Sequence, residues 1–268
     1  MSTINPFHIT PDLRGQLYEQ GFLITPPIVD TSAIDEMKGS VDSVWQSQIA
    51  KTDPADTVAT RNVRERPFLS GYHTLSEAGG RFLRSRPLVD IATQLIGPDA
   101  DVPNNQVVIK PPMKSWNNTF AWHQDDHYIK DDPQWNVEIV TDLRRCYQGW
   151  LALTRTTIDN GTLWVLPGAH KQGFRPHEWN KANGEWRMTG DLPAPVPGGG
   201  AMPVELQPGQ MLIFSGLLPH CSGPNLTRDE TRIVYQFTYT QPGGACYPGT
   251  LPVLRGGGVV SDVVSLAS

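Results

Sequence analysis

Two histidines and a carboxylate stand where they could share a metal ion. His123 and Asp125 lie in the run TFAWHQDDHY (119–128). Its composition predicts a strand, and on a strand residues i and i+2 project from one face. His220 lies far downstream in PHCSGPN (219–225), just after the apolar strand candidate MLIF (211–214). Two imidazoles and one carboxylate can form the facial triad of non-heme Fe(II) oxygenases, which leaves coordination positions open for other ligands. Arg232 comes twelve residues after His220 and opens the run RIVYQFTYT (232–240). A rigid, always-charged guanidinium in a barrel mouth suits the end-on grip of a dicarboxylate. Taken singly, each part has a plainer reading. HxD is a common pair, His220 could be a turn histidine, and Arg232 could close a surface ion pair. A zinc pair of His123 and His127 at i, i+4 is a further alternative. It needs a helix, and the run lacks the usual Glu beside the first His.

The elements around these residues change character along the chain. Thr10 reads as an N-cap before Pro11, with a helix over 11–20 that Gly21 stops and a strand over 22–24. Residues 30–50 carry Ile34, Met37, Val41, Val44, Trp45 and Ile49 near helical spacing, which predicts a surface helix with one apolar face. Residues 51–80 are polar and read as a loop with broken structure. A helix over 87–96 should end at Gly97-Pro98. From there strands are expected over 106–110, 119–128, 149–154, 162–166, 211–214 and 232–240, bounded by Pro, Gly and Asn clusters. Helices first and strands later predict an α+β, mainly β fold with an antiparallel sheet or double-sheet roll. The expectation is one domain over 1–268, with a mostly helical flank over 1–100, a jelly-roll core over 101–240 and an unassigned tail over 241–268. The stretch 190–203 reads as a long surface loop.

Composition narrows the function classes. The chain has 268 residues, with 22 Lys+Arg against 27 Asp+Glu, a net charge of -5. Such a mildly acidic chain without a basic block argues against nucleic acid as a partner. Gly 25 and Pro 24 are scattered between apolar runs, which suits short strands and turns. Cys146, Cys221 and Cys246 form no CxxC pair, so neither a disulfide framework nor a zinc ribbon is expected. No apolar run is long enough for a membrane helix. The N-terminus lacks a secretory pattern, and the default expectation is a cytoplasmic protein.

WHQDDHY, the run GTLWVLPGAHK (161–171) and PHCSGPN with Arg232 resemble the phytanoyl-CoA dioxygenase family of Fe(II)/2-oxoglutarate oxygenases. The likeness runs from LYEQGFLI (17–24), through VIKPP (108–112), to QFTY (236–239). It implies a double-stranded β-helix, a jelly-roll relative of the cupins, with flanking helices. His123, Asp125 and His220 match the iron ligands. Arg232 matches the arginine that pairs with the distal carboxylate of 2-oxoglutarate. The family usually places that arginine one position nearer the distal histidine, so Arg228 is a rival. Ser222 matches a hydroxyl sharing the same carboxylate, Trp150 an aromatic of the cofactor pocket, and Gln106 and Gln124 positions lining the cofactor site. His170 is expected to be structural.

The implied cofactors are Fe(II), 2-oxoglutarate and O2. The implied reaction releases succinate and CO2 and oxidises an unactivated C–H bond of a small metabolite, one of a specialised biosynthetic pathway. Hydroxylation is the default, with desaturation, cyclisation and epoxidation left open. A halogenase is disfavoured, since its metal site needs a small residue at Asp125. Family membership alone does not imply an acyl-CoA substrate. A cupin-like metal-dependent isomerase or hydrolase and a non-catalytic binding protein are the readings from other classes. Two departures stand out. The usual acidic pair after the WLAL strand is replaced by Arg155-Thr156-Thr157. The segment 129–148 is longer than usual and reads as a lid, a solvated insertion or a subunit contact. Trp135, Arg144 and Arg145 on it, with Tyr72 and His73 upstream, are the substrate candidates.

Overall fold

The computed structural model describes residues 6–65, 67–112, 118–180 and 185–261. Helix α1 (Pro11–Gln20) starts where Thr10 Oγ1 accepts the Leu13 N–H, and it stops at Gly21, which takes φ 82°. Strand β1 (Phe22–Ile24) leads to α2 (Thr31–Lys51), capped by Asp30, with Ile34, Met37 and Val41 buried. Then follow α3 (Thr57–Glu65), β2 (Phe68–Ser70), α4 (Tyr72–Leu75), α5 (Glu77–Leu83) and α6 (Arg86–Ile96). The long strand β3 (Ala100–Lys110) precedes β4 (Phe120–His123), a 3-10 turn (Asp125–Tyr128), α7 (Val137–Val140), β5 (Cys146–Ala152) and β6 (Leu163–Val165). The remaining strands are β7 (His177–Asn180), β8 (Glu185–Met188), β9 (Met202–Val204), β10 (Met211–Phe214), β11 (His220–Ser222), β12 (Arg232–Thr240), β13 (Leu251–Arg255) and β14 (Gly258–Val259).

Eight strands form the major sheet in the order β1-β10-β5-β12-β3-β13-β14, with β2 also paired to β3. A second sheet has the order β4-β11-β6-β9, and β7 and β8 make a separate hairpin. The two faces of the major sheet do different work, because side chains alternate along each strand. On β12, Tyr235, Phe237 and Tyr239 pack with Leu17, Met37, Val41, Tyr72, Leu83 and Leu88 of the helices. The intervening Val234 packs instead with Trp150, Phe214 and the second-sheet residues Leu163, Val165 and Val204. Helices thus cover one face, and the other closes against the second sheet. This is the double-stranded β-helix with flanking helices that the sequence resemblance implies.

Several local expectations are corrected. Residues 51–80 hold α3, β2, α4 and part of α5 rather than a loop. No residue of α3 is buried, and its mostly polar composition reads as loop despite its helical spacing; Trp45 Nε1 ties it to α2 by donating to Val63 O at 2.7 Å. The predicted strand 119–128 ends at His123, because the Asp126 N–H bonds to Gly216 O and the His127 N–H turns back to Gln124 O. Asp125 therefore sits on a 3-10 turn, not on a strand. Strand β5 begins at Cys146, so the last three residues assigned to the 129–148 insertion belong to the sheet. The tail contributes β13, which pairs with the N-terminal part of β3.

Gly149 shows how tightly the helix-covered face is filled. A Cβ there would lie 2.2 Å from Cε2 of Phe237. Gly39, in the middle of α2, has nothing within 4 Å of the same position. Gly149→Ala should therefore cost about 1–3 kcal/mol by overpacking. Gly39→Ala should add about 0.5–1 kcal/mol through the helix preference of alanine. Urea unfolding of the two variants checks both signs.

Candidate metal centre and adjoining cleft

The two histidines meet through strand pairing. His220 of β11 lies directly opposite His123 of β4, and their ring centroids are 4.2 Å apart. Each ring uses Nδ1 against its own backbone two residues back, His123 to Ala121 O at 2.7 Å and His220 to Leu218 O at 2.9 Å. A carbonyl can only accept, so Nδ1 carries the hydrogen and Nε2 keeps its lone pair. Both Nε2 atoms face Asp125 Oδ1, at 3.6 Å from His123 and 3.5 Å from His220. The three side chains offer ligand atoms that all lie within 4.8 Å of one another. Bonds of about 2.0–2.2 Å to a first-row ion would draw such atoms slightly closer. The other carboxylate oxygen, Oδ2, accepts from Gln236 Nε2 at 3.0 Å.

Burial and mutual charge set the protonation of the cluster. Burial, helped by the neighbouring His220, pushes His123 down to about 3, so it is a neutral ligand. For His220 burial acts downward, but the Asp125 carboxylate outweighs it and raises the imidazole above its ordinary value. Burial acts upward on Asp125, yet the facing histidines and Gln236 hold its carboxyl below the usual range. Asp126 is different: burial, with Asp125 beside it, drives its carboxyl well up, and it stays out of the cluster. His127 stacks on His177 with centroids 3.8 Å apart, so it is not the partner of His123 that an i, i+4 zinc pair would require.

A cleft of about 1040 Å³ opens from the cluster. Arg232 lines it although only 1% exposed, and its Nε has no hydrogen-bond partner among the described residues. The guanidinium lies 5.3 Å from the Trp150 ring centroid, a cation–π contact. Burial pulls its pKa down to about 9, which leaves the group charged at neutral pH. Arg228 is exposed in the preceding turn. That turn is fastened by Asn225, whose Nδ2 donates to Lys110 O and Glu230 O, and this brings Arg232 onto the strand. Ser222 also lines the cleft, and its Oγ accepts from Lys110 Nζ at 2.6 Å.

The other sequence candidates divide. Trp150 and Gln106 line the cleft, as does Trp135 from the segment after the 3-10 turn. Gln106 Nε2 donates to Gln236 Oε1 at 3.1 Å. Gln124 does not face the cleft. Its amide donates to Gly173 O and Leu217 O and accepts the Arg175 N–H, which makes it a staple between loops. Arg144 is exposed and paired with Asp142, and Arg145 donates to Gln241. Tyr72 is fully buried with its hydroxyl against Ser40 Oγ, and His73 is bonded to Asn105. None of these four borders the cleft; Phe68, Ser70 and Leu75 of the same region do. His170 sits by α1, its Nε2 at 3.2 Å from Tyr18 O.

Lys110 and Gln236 escaped the sequence reading. Lys110 is fully buried, and its signal was a single cation ending the apolar run QVVIK. Gln236 could have been found from period two, because it shares a strand face with Arg232 four residues earlier. The segment 129–148 is laced to the tail. Trp135 bridges Ala245, the Asn136 N–H donates to Gly244 O, and the Cys246 N–H donates to Gln134 O.

A β-helix with a buried His-Asp-His cluster and a cationic recess defines a class of metal-dependent protein. The family model described as phytanoyl-CoA dioxygenase (PhyH) matches residues 17–234, and the chain belongs to that family. It is 24% identical over 239 residues to the peroxisomal phytanoyl-CoA dioxygenase of Homo sapiens, covering 82% of this chain and 65% of that one. It is 25% identical over 170 residues to the ectoine dioxygenase of Streptomyces avermitilis, covering 60% of this chain and 55% of the relative. The chain thus spans less than two thirds of these relatives' lengths. The fold matches the crystal structure of EvdO2 from Micromonospora carbonacea var. aurantiaca complexed with 2-oxoglutarate, with a TM-score of 0.68 and 22% identity over 91% of this chain and 96% of that one. No described helix is long and apolar enough to cross a membrane.

The staple role of Gln124 carries its own expectation. Gln124→Leu leaves two carbonyls and one N–H without their partner. Each buried group left unmet costs about 1–3 kcal/mol. The melting temperature should fall clearly, while the folded variant binds 2-oxoglutarate as before. Calorimetry at a temperature well below melting separates the two effects.

Proposed function

We propose that this protein is an Fe(II)- and 2-oxoglutarate-dependent dioxygenase that oxidises an unactivated C–H bond of a small metabolite in a specialised biosynthetic pathway, hydroxylation being the default outcome. One observation carries the reading. The His123–Asp125–His220 cluster opens into the same cleft that holds a buried guanidinium with an orphaned Nε. A metal-dependent isomerase or hydrolase has use for the cluster but none for that cation. The names of the relatives, which are dioxygenases of phytanoyl-CoA and ectoine, support the reaction class.

The donor set fits the metal: two imidazole nitrogens and one carboxylate oxygen suit Fe(II) and leave open positions. His123, Asp125 and His220 would hold it. Arg232 and Ser222 would hold the distal carboxylate of 2-oxoglutarate, with Lys110 anchoring the serine hydroxyl. Iron, 2-oxoglutarate and O2 together supply the oxidising chemistry, with succinate and CO2 released. The chain's own contribution is position and dryness. The Nδ1 bonds to Ala121 O and Leu218 O fix both rings. Gln236 orients the carboxylate by holding Oδ2, so that Oδ1 faces the histidines. Trp150 covers the guanidinium and keeps water from it. Binding of a small molecule requires neither nucleic acid nor a membrane surface.

His220→Ala should lose most bound Fe(II) and all succinate release, read by metal analysis and product assay. Arg232→Ala should keep the metal and weaken 2-oxoglutarate at least about tenfold, since a charge-assisted bond contributes about 1.5–3 kcal/mol. Arg228→Ala, in the exposed turn, should change neither. A loss in Arg228→Ala with none in Arg232→Ala would refute the assignment.

A further inference from the structure

The inner face of the major sheet changes chemistry in steps along β12. Strand registers place Lys110, Arg232 and their neighbours at one end, with Lys110 opposite Arg232. The next inward row is Val108, Val234 and Ala152. Then comes Gln106, Gln236 and Trp150, at the level where Gln236 holds Asp125. The last row is Asn104, Thr238 and Gln148, on three adjacent strands, and all three border the cleft. The cationic end is therefore separated from a neutral amide and hydroxyl end by the metal-ligand level. The Gln106–Gln236 row is occupied internally, because Gln106 donates to Gln236 and Gln236 donates to Asp125. The last row is not. Thr238 Oγ1 donates to Gln148 Oε1 at 2.7 Å, which turns the Gln148 amide so that its two N–H donors are free for another acceptor. Asn104 is exposed into the same space.

Other residues lining the cleft are apolar or neutral, among them Phe68, Leu75, Val63, Tyr128, Ile129 and Trp135. Among the described residues lining the cleft, Asp125 and Arg232 are the only permanently charged types, and both belong to the metal and cosubstrate end. A phosphate-bearing thioester needs cationic partners, and a zwitterion needs both signs. The described substrate end offers neither.

Resting on the dioxygenase reading above, we infer that the substrate is an uncharged molecule with an apolar body and a hydroxyl or carbonyl edge, and that the Asn104–Thr238–Gln148 row reads that edge. The volume, at the upper end of the roughly 300–1,000 Å³ usual for ligand sites, suits a polycyclic or terpenoid-sized body beside 2-oxoglutarate. The apolar walls take the body, and the row sets which edge faces the sheet. The carbon presented to the metal cluster is then fixed by its distance from that edge.

The test uses the full chain loaded with Ni(II) and 2-oxoglutarate, and reads binding by calorimetry rather than turnover. The probes are testosterone, borneol and naringenin as uncharged compounds, ectoine as a zwitterion, and octanoyl-coenzyme A as a polyanion. Uncharged probes should bind, and the two charged ones should not. Gln148→Leu should weaken the uncharged probes about fivefold, the loss expected for one neutral hydrogen bond. Thr238→Val, close in shape, should do the same by releasing the Gln148 amide from its orientation. Both variants should bind 2-oxoglutarate as the parent does. Ectoine or octanoyl-coenzyme A binding as tightly as the uncharged set overturns the inference. So does silence from every uncharged probe, or a set indifferent to both variants, while 2-oxoglutarate binds normally. If 2-oxoglutarate itself fails to bind the Ni(II) protein, the dioxygenase reading falls first, and this inference falls with it.

Discussion

The alternation of side chains along β12 governs the rest of the molecule. Its nine residues, paired on both edges to β3 and β5, present aromatic rings to the helices on one face. On the other face they present Arg232, Gln236 and Thr238 to the cleft, with Val234 packed against the second sheet. A slip of one residue would put the tyrosines into the cleft and the guanidinium under the helices. The aromatic core on the outer face thus sets the register of the chemistry on the inner face. The packing of Tyr235 against Tyr72 and Phe82 and of Tyr239 against Tyr147 holds Arg232 and Gln236 where they are.

That register brings two buried cations to opposite positions on neighbouring strands. Such a pairing costs desolvation twice, and like charges add to it. Lys110 is answered by Ser222 Oγ, Gly223 O and the Phe120 ring, and Arg232 by the Trp150 face. The Arg232 Nε has no answer among the described residues. Hydrogen bonds to neutral oxygens and ring faces offset part of the cost of a buried charge, and an anion offsets far more. The tension is concentrated at one end of one cleft. On the far side of the sheet lie five stacked, edge-on or tilted aromatic contacts.

How much of this was readable from residues alone depended on whether the deciding partner was local. His123, His220 and Arg232 were legible because their types are rare in such runs and their strands are bounded by clear turn signals. Trp150 came only through the family resemblance, not from its own pattern. Asp125 was found through the HxD spacing, although the strand geometry that motivated it was wrong. The chain turns after His123 because of a bond to Gly216 O, ninety residues away in sequence, and no local pattern announces that. Gln124 failed for a related reason. Alternation says that it faces away from His123, but the loops that capture its amide come from residues 173, 175 and 217. Tyr72 and His73 looked like loop residues, whereas their neighbours pack into α4 and α5 against the aromatic core. The polar composition of the short helix α3 masked its helical spacing, and strand β13 is too short to be seen without β3, on which it leans.

The depth of Arg232 bears on how the protein meets an anion in salt solution. The chain as a whole carries a net charge of -5, which opposes the approach of a dianion. At physiological ionic strength that opposition fades beyond roughly 8 Å. Inside a cleft with low-dielectric walls, the guanidinium's field is focused rather than screened. Dissolved ions therefore soften the repulsion felt on approach and hardly touch the attraction felt on arrival. An exposed basic patch behaves the other way round, losing its grip as salt rises. In the role proposed for Arg232, burial makes the grip on an anion one that tolerates ionic strength.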